Sequence, residues 1–321
     1  MAVHKCSIIA NPEGYGWYYA EKIHKKLISE GYEFELNPLH IKRFKDGEIK
    51  PKIDLNVRKR NCFFIHDSSI DPTEWFTQLV LINETLKNSA AQEIINVLPY
   101  LKFSRQDRKD ESRVPISAKA LADTIGLYAN RVLTIDVHNP SIQGFYDIPF
   151  DNLYSFPTVV NYLKDFYPHI LEDIVVMSTD AGGAPRAKSF AKKLGIKDIV
   201  TGYKSREKEN EVEQLRVLGD VKGKNVLIVD DLIDTGNTLV SASNAVRELG
   251  AKKIYTYCTH GLFTSGVKKI SDNFDIIFIG DTVNLKEPVP DNVKIISFIP
   301  LFAEAIYRIS EGESLSQLFS Q

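Results

Sequence analysis

Four apolar residues, Val226 to Val229, run straight into two carboxylates, Asp230 and Asp231, and a third, Asp234, opens a Thr-Gly-Asn-Thr turn. A short apolar run bounded by polar sequence suits a strand buried on both faces, as found inside a parallel sheet. Beyond the turn, Leu239, Ala242, Val246 and Leu249 recur at helical spacing and form one apolar face. The stretch predicts a strand ending at Val229, an acidic edge, a small-residue loop and a helix over about Leu239 to Leu249. In α/β folds, ligands collect at such carboxyl ends of strands.

Each part has a chemical use. Thr235, Gly236, Asn237 and Thr238 can aim backbone N–H groups and two hydroxyls at a phosphate, and the helix dipole favours an anion there. Asp230 and Asp231 would repel a phosphate and need another partner. Two adjacent acceptors suit the paired 2- and 3-hydroxyls of a ribose, directly or through a divalent cation. A sugar phosphate fits better than a nucleoside triphosphate, and the Gly-x-x-x-x-Gly-Lys phosphate loop is absent. A lone Asp-Asp pair would be an ordinary solvated turn. Three carboxylates and a Thr-rich turn at a buried strand's end make that account the weaker one.

The length of 321 residues suggests two domains, at roughly 100–200 residues each. Forty basic against forty-two acidic side chains leave a net charge of −2, which gives no overall pull toward nucleic acid or an anionic membrane. Any anion site must be a local cluster. Cys6, Cys62 and Cys258 lack metal-like spacing and sit in or beside apolar runs, as buried free thiols of a reducing compartment would. No apolar signal core opens the sequence and no run reaches membrane-span length, so a soluble cytoplasmic protein is expected.

Residues 4–10 and 61–66 read as buried strands with a helix from about Tyr18 to Ser29 between them, and Trp75 to Lys87 and Glu93 to Leu98 read as a further helix and strand. Phe44-Lys-Asp-Gly-Glu48 carries the Asp-Gly signal of a hairpin turn. Arg105 to Arg113 holds seven charged side chains in nine residues and ends near Pro115, with Ser117 placed to cap a helix. Such a run is either a solvated loop or a basic cluster closing over a polyphosphate, and composition leaves both open. Val132 to His138 repeats the pattern of apolar strand followed by Asp. Ile174 to Met177 leads into Asp180-Ala-Gly-Gly-Ala-Pro-Arg186 and a helix to Leu194. These echoes favour an internal duplication, with domains over 1–152 and 153–321 divided near the Asp147–Leu153 turn. By composition alone, His138 is a polar residue at a strand end and Lys204-Ser-Arg206 begins a solvated charged segment.

The acidic stretch resembles the 5-phosphoribosyl diphosphate motif of the type I phosphoribosyltransferase fold. The wider set resembles the ribose-phosphate diphosphokinase family. Its carriers include Phe44 to Glu48, Ser104 to Asp110, Pro115 to Lys119, Asp136-Val-His138, Gln143 to Pro149, Asp180 to Gly183, Asp230 to Thr238, Thr259-His-Gly261 and Glu311 to Ser314. The resemblance implies two tandem phosphoribosyltransferase-like α/β domains, each with a mainly parallel sheet flanked by helices. It implies transfer of a diphosphoryl group from MgATP to ribose 5-phosphate, in a homo-oligomer expected to be a hexamer. ATP binding then falls to Arg105, Gln106 and Asp107, with Phe44, Asp46 and Glu48 donated by a neighbouring subunit. Ribose 5-phosphate falls to Asp230, Asp231 and Asp234 to Thr238. His138 and Asp180 match residues associated with Mg2+, and Lys204, Arg206 and His138 match catalytic positions. Mg2+ prefers oxygen ligands and keeps several waters, so His138 better suits a hydrogen bond to a phosphate or a metal-bound water.

The chain also departs from the family pattern. Ser205 stands in place of an arginine and Thr179 in place of a proline. In the phosphate turn the glycine is displaced by one position, and Asn237, a residue tolerant of left-handed backbone, follows it. Gln317 replaces a serine, and Asn11-Pro-Glu-Gly-Tyr-Gly-Trp17 is unusual. Two other readings remain: a catalytically silent regulatory paralogue, supported by Ser205, and a phosphoribosyltransferase that consumes the sugar diphosphate.

Overall fold

The computed structural model describes residues 6–197, 199–205 and 214–320, and the chain divides into two units. The first begins with β1 (Cys6–Ala10), α1 (Tyr15–Ser29), β2 (Phe34–Arg43), β3 (Ile49–Ile53), β4 (Asn61–Ile65) and α2 (Pro72–Asn88). It continues through β5 (Glu93–Leu98), α3 (Ser117–Gly126), β6 (Arg131–Ile135) and β7 (Phe150–Leu153). The second contains α4 (Phe156–Phe166), β8 (Ile174–Ser178), α5 (Ala184–Leu194), β9 (Ile199–Ser205) and β10 (Gln214–Leu218). It is completed by β11 (Asn225–Ile233), α6 (Asn237–Glu248), β12 (Lys253–Gly261), α7 (Val267–Ser271), β13 (Ile276–Gly280) and β14 (Val293–Ile296). The chain then adds α8 (Ile299–Glu311) and α9 (Ser316–Ser320).

The sheets have orders β3-β2-β1-β4-β5-β6-β7 and β10-β9-β8-β11-β12-β13-β14. Adding seven to every strand of the first order reproduces the second, so the duplication expected from the sequence echoes is present in the topology. Within each sheet the strands pair in parallel, apart from one antiparallel edge hairpin, β2 with β3 and β9 with β10. The reversal of strand order falls between β1 and β4 in one unit and between β8 and β11 in the other, opening a crevice at each.

The apolar runs occupy the centres of the sheets. Val226, Leu227, Ile228 and Val229 on β11 are fully buried, and Leu239, Ala242 and Val246 of α6 pack onto the same core. In the first unit Phe64, Trp75, Leu79 and Leu86 play the matching part. Helix α2 starts where the sequence dictates: the Asp71 carboxylate accepts the N–H groups of Thr73 and Glu74, and Pro72 begins the first turn. All three cysteines are buried and free. Among the described residues no helix is long and apolar enough to cross a membrane.

Three expectations need correction. Strand β11 does not stop at Val229; β12 pairs with it as far as Ile233 opposite Gly261, so the acidic pair lies within the strand. The units are Met1–Tyr154 with Phe298–Gln321, and Ser155–Ser297. A single cut at 152/153 misses the return of the C-terminal segment, because α8 buries Phe302, Ala305 and Ile306 and packs against α1 of the first unit. Finally, residues 204–205 and 214–216, read as solvated by composition, belong to the β9–β10 hairpin, whose backbone bonds satisfy them despite their charge.

Candidate active site

The crevice over β8 and β11 is built by one strand and two loops. From β11 come Asp230, half-buried, and Asp231, buried. Asp230 uses both carboxylate oxygens: Oδ1 accepts the Asp231 N–H at 2.9 Å, and Oδ2 accepts the Thr179 hydroxyl at 2.9 Å. Arg186 of α5 reaches both acids, donating to Asp231 Oδ1 at 3.3 Å and lying 3.7 Å from Asp230 Oδ1. Burial, then the neighbouring Asp231 charge, pushes Asp230 up to about 7, against the opposing pull of Arg186 and Thr179. Cys258, facing Asp230 across the β11–β12 pair, is pushed well above its ordinary range by burial and by both acids, so it stays a neutral thiol.

Asp234 to Thr238 form the turn into α6. The Asp234 carboxylate accepts the Thr264 hydroxyl at 2.6 Å and its carbonyl accepts the Thr264 N–H at 3.0 Å, which fixes the turn. Gly236 takes the left-handed conformation at φ +76°, and a Cβ there would lie 2.6 Å from Ile270 Cδ1. Glycine, not Asn237, therefore carries the left-handed position, and Asn237 is the first residue of α6. That start lies two residues ahead of the expected Leu239. The first-turn N–H groups of such a helix lack intrahelical acceptors and can meet an anion. Across the crevice, Asp180 Oδ1 accepts the Gly183 N–H at 2.8 Å and shapes the glycine loop leading into α5.

The matching crevice of the first unit is filled by the chain's own carboxylates. Asp67, after β4, accepts the Tyr15 N–H at the start of α1 and the Ser69 N–H, each at 2.7 Å. Gly14 permits this approach, since a Cβ there would meet Asp67 Oδ2 at 2.7 Å. The unusual Asn11–Trp17 segment thus wraps around an internal anion. A cavity of about 180 Å³ remains, lined by Glu13, Asp67 and Glu74 among others, and its acidity disfavours phosphate. Of the two duplicated crevices, the second is the one that joins paired acids to an open turn at a helix start.

The charged loop of the first unit, residues 99–116, leaves β5 and returns to α3. Arg105 and Gln106 are exposed, and Gln106 is anchored: its Oε1 accepts the Ser117 hydroxyl and its carbonyl accepts the Ala118 N–H at 3.1 Å. Asp107 Oδ2 accepts Asn139 Nδ2 at 2.6 Å, tying this loop to the one that presents exposed His138. Asp136, just before, holds a positive φ of 43° while buried. Phe44, Asp46 and Glu48 form the β2–β3 turn, closed by Phe44 N–H to the Glu48 carbonyl at 2.8 Å and by Gly47 at φ +95°. Within the chain this segment is the hairpin that Asp-Gly signals, and Phe44 is 42% exposed at its tip, beneath Lys42 Nζ. Lys204 lies on β9, paired with Leu215, whereas Arg206 lies outside the described residues.

Among the described residues, no three His, Cys, Asp or Glu side chains converge as a metal cage. A single carboxylate such as that of Asp180 can serve a cation that takes oxygen ligands and keeps several waters. Thr179 and Arg186 were not singled out as site residues from sequence. Their partners lie 51 and 45 residues away, and only the β8–β11 pairing brings them together.

Comparison with known proteins identifies the family. Residues 18–127 fit the N-terminal domain of ribose phosphate pyrophosphokinase, and residues 206–320 fit the phosphoribosyl synthetase-associated domain. The chain is 40% identical to the ribose-phosphate pyrophosphokinase of Campylobacter jejuni over 297 residues, 92% of this chain and 94% of that one. It is 38% identical to that of Thermosipho africanus, over 92% and 93%. The phosphoribosylpyrophosphate synthetase structure from Mycobacterium smegmatis superposes with a TM-score of 0.86 at 29% identity, covering 96% of this chain and 99% of that one. Two tandem α/β units of the same strand order, shared with a phosphoribosylpyrophosphate synthetase structure, define the class. Within it, the chain belongs to the ribose-phosphate pyrophosphokinase family.

Proposed function

We propose that this chain transfers the diphosphoryl group of MgATP to the anomeric hydroxyl of ribose 5-phosphate, yielding 5-phosphoribosyl diphosphate and AMP. The observation that carries this reading is the second unit's crevice, where paired acids on β11 stand beside an anion-ready turn. Asp230 and Asp231 accept the 2- and 3-hydroxyls, displacing part of the Arg186 contact, while Thr235 to Thr238, held by Asp234, take the 5-phosphate. Arg105, Gln106 and Asp107 take the nucleotide. Phe44, Asp46 and Glu48 reach it from a second copy of the chain, and the exposed aromatic tip of the hairpin supports that role.

The anomeric oxygen bonds to the β-phosphorus as the bond from that phosphorus to the α,β-bridging oxygen breaks; AMP departs with the bridging oxygen, and the hydroxyl's proton is released to water. Mg2+ supplies charge neutralisation on the phosphates. Asp180 offers it a carboxylate oxygen, and His138 hydrogen-bonds a phosphate or a metal-bound water. Lys204 and Arg206 supply positive charge against the negative charge that develops in the transition state, the device on which phosphoryl transfer chiefly depends. The enzyme works as a homo-oligomer, a hexamer by resemblance, in the cytoplasm, where its three buried thiols stay reduced.

The test is AMP formation from ATP that depends on ribose 5-phosphate, with Mg2+ and inorganic phosphate present. Strict dependence is expected. Folded protein that forms no such AMP would overturn the reading in favour of a silent paralogue. Diphosphate release with a purine or pyrimidine, and no need for ATP, would point instead to a phosphoribosyltransferase.

A further inference from the structure

Thr179 follows β8 at the bottom of the crevice and is 2% exposed. Its hydroxyl donates to Asp230 Oδ2 at 2.9 Å. Its carbonyl lies against Gly202 on β9, where an added Cβ would approach to 2.7 Å, so the residue is wedged and has little freedom to shift. Asp230 Oδ1 is held from its own strand by the Asp231 N–H. The carboxylate is therefore fixed by two donors, one on each oxygen. Each oxygen has a second lone pair for an incoming hydroxyl.

Its neighbour is held differently. Asp231 accepts from Arg186, a long side chain at 3.3 Å that also reaches toward Asp230. An ion pair of that length can re-form around a ligand, whereas a buried hydroxyl on a wedged backbone cannot follow.

We propose that Thr179 is a specificity-determining positioning residue of the sugar site, fixing the Asp230 carboxylate in the orientation that receives one of the ribose hydroxyls. The inference rests on the assignment of ribose 5-phosphate to this crevice. A threonine that merely satisfies a buried acid would affect stability alone. A positioning residue affects sugar binding, and only for sugars that carry the hydroxyl in question.

The experiment compares wild-type, Thr179→Val and Thr179→Ser proteins in AMP formation. The sugars are ribose 5-phosphate and its 2-deoxy and 3-deoxy counterparts, used as substrates or competitors. Valine keeps the shape and removes the donor. Expected for Thr179→Val is a KM for ribose 5-phosphate raised about 5–10-fold, as for loss of one net hydrogen bond, with kcat within twofold and KM for ATP unmoved. With one of the two deoxy sugars the penalty should vanish, identifying the hydroxyl received. Thr179→Ser should restore the wild-type KM. An equal penalty for all three sugars, a fall in kcat at constant KM, failure of serine to rescue, or no change in an active enzyme would each overturn this inference and leave the function standing. A wild-type protein that makes no AMP would overturn both.

Discussion

Asp230 illustrates how function is paid for at single positions. A carboxyl whose folded-state pKa lies above its unfolded value binds its proton more readily when folded, so it favours folding at low pH. It weighs against folding as pH climbs from about 4, the unfolded value, to about 7. Asp230→Asn is therefore expected to raise Tm at pH 7.5, the gain shrinking toward pH 4, while ribose 5-phosphate binding is lost. Thermal denaturation across that range checks it, and a variant less stable at pH 7.5 by a pH-independent amount would refute it. Gly236→Ala is expected to cost roughly 1–3 kcal/mol, since alanine must hold φ +76° against Ile270. Urea titration measures this, and a loss under 0.5 kcal/mol would mean that the turn rearranges freely. At this scale the sequence was informative where chemistry is local. Asp230, Asp231 and the glycine of the turn announce themselves within a few residues, whereas Thr179 and Arg186 do so only once β8 lies beside β11.

Among the elements, apolar periodicity made the strands and helices of both cores legible. Strand β5 spans Glu93–Leu98 as expected, and α2 starts at its own Asp-Pro signal. Composition misled where backbone pairing, not side-chain burial, holds an element: the charged β9–β10 hairpin and the extension of β11 through two acids both owe their form to neighbouring strands. The loop over residues 99–116 is a further case, a dense charge run whose composition leaves a solvated loop and a basic cluster both open, and it is tied down by Ser117 at one residue and Asn139 at the next. Asn139→Ala removes the second tie and the Asn139 contact to the Ser141 N–H. It should raise KM for ATP roughly 3–10-fold, from the loss of about one net hydrogen bond, with KM for ribose 5-phosphate unchanged. Initial-rate kinetics with each substrate varied in turn would show this, and equal changes in both constants would argue for a general disturbance.

At the level of the whole chain, the duplicated sheets are closed in different ways. The second unit is continuous from Ser155 to Ser297, but the first is completed only by residues 298–321. Phe302 of α8 is fully buried and meets the ring of Tyr19 on α1 edge-on at 5.7 Å, and Tyr307 stacks on Tyr32 at 3.9 Å. Phe302→Ala should destabilise by about 3–5 kcal/mol, with faster amide exchange in β1 and α1 than in β11 and α6. Uniform acceleration across both sets would show instead that the units unfold as one. The same arrangement matters during synthesis. Synthesis runs from the N-terminus, so the half made first must wait, with α1 uncovered, for a helix translated after the whole second unit. The half made second has all its parts in hand before translation ends. A premature stop codon beyond Ser297 would thus damage the domain at the far end of the nascent chain and spare the one beside it.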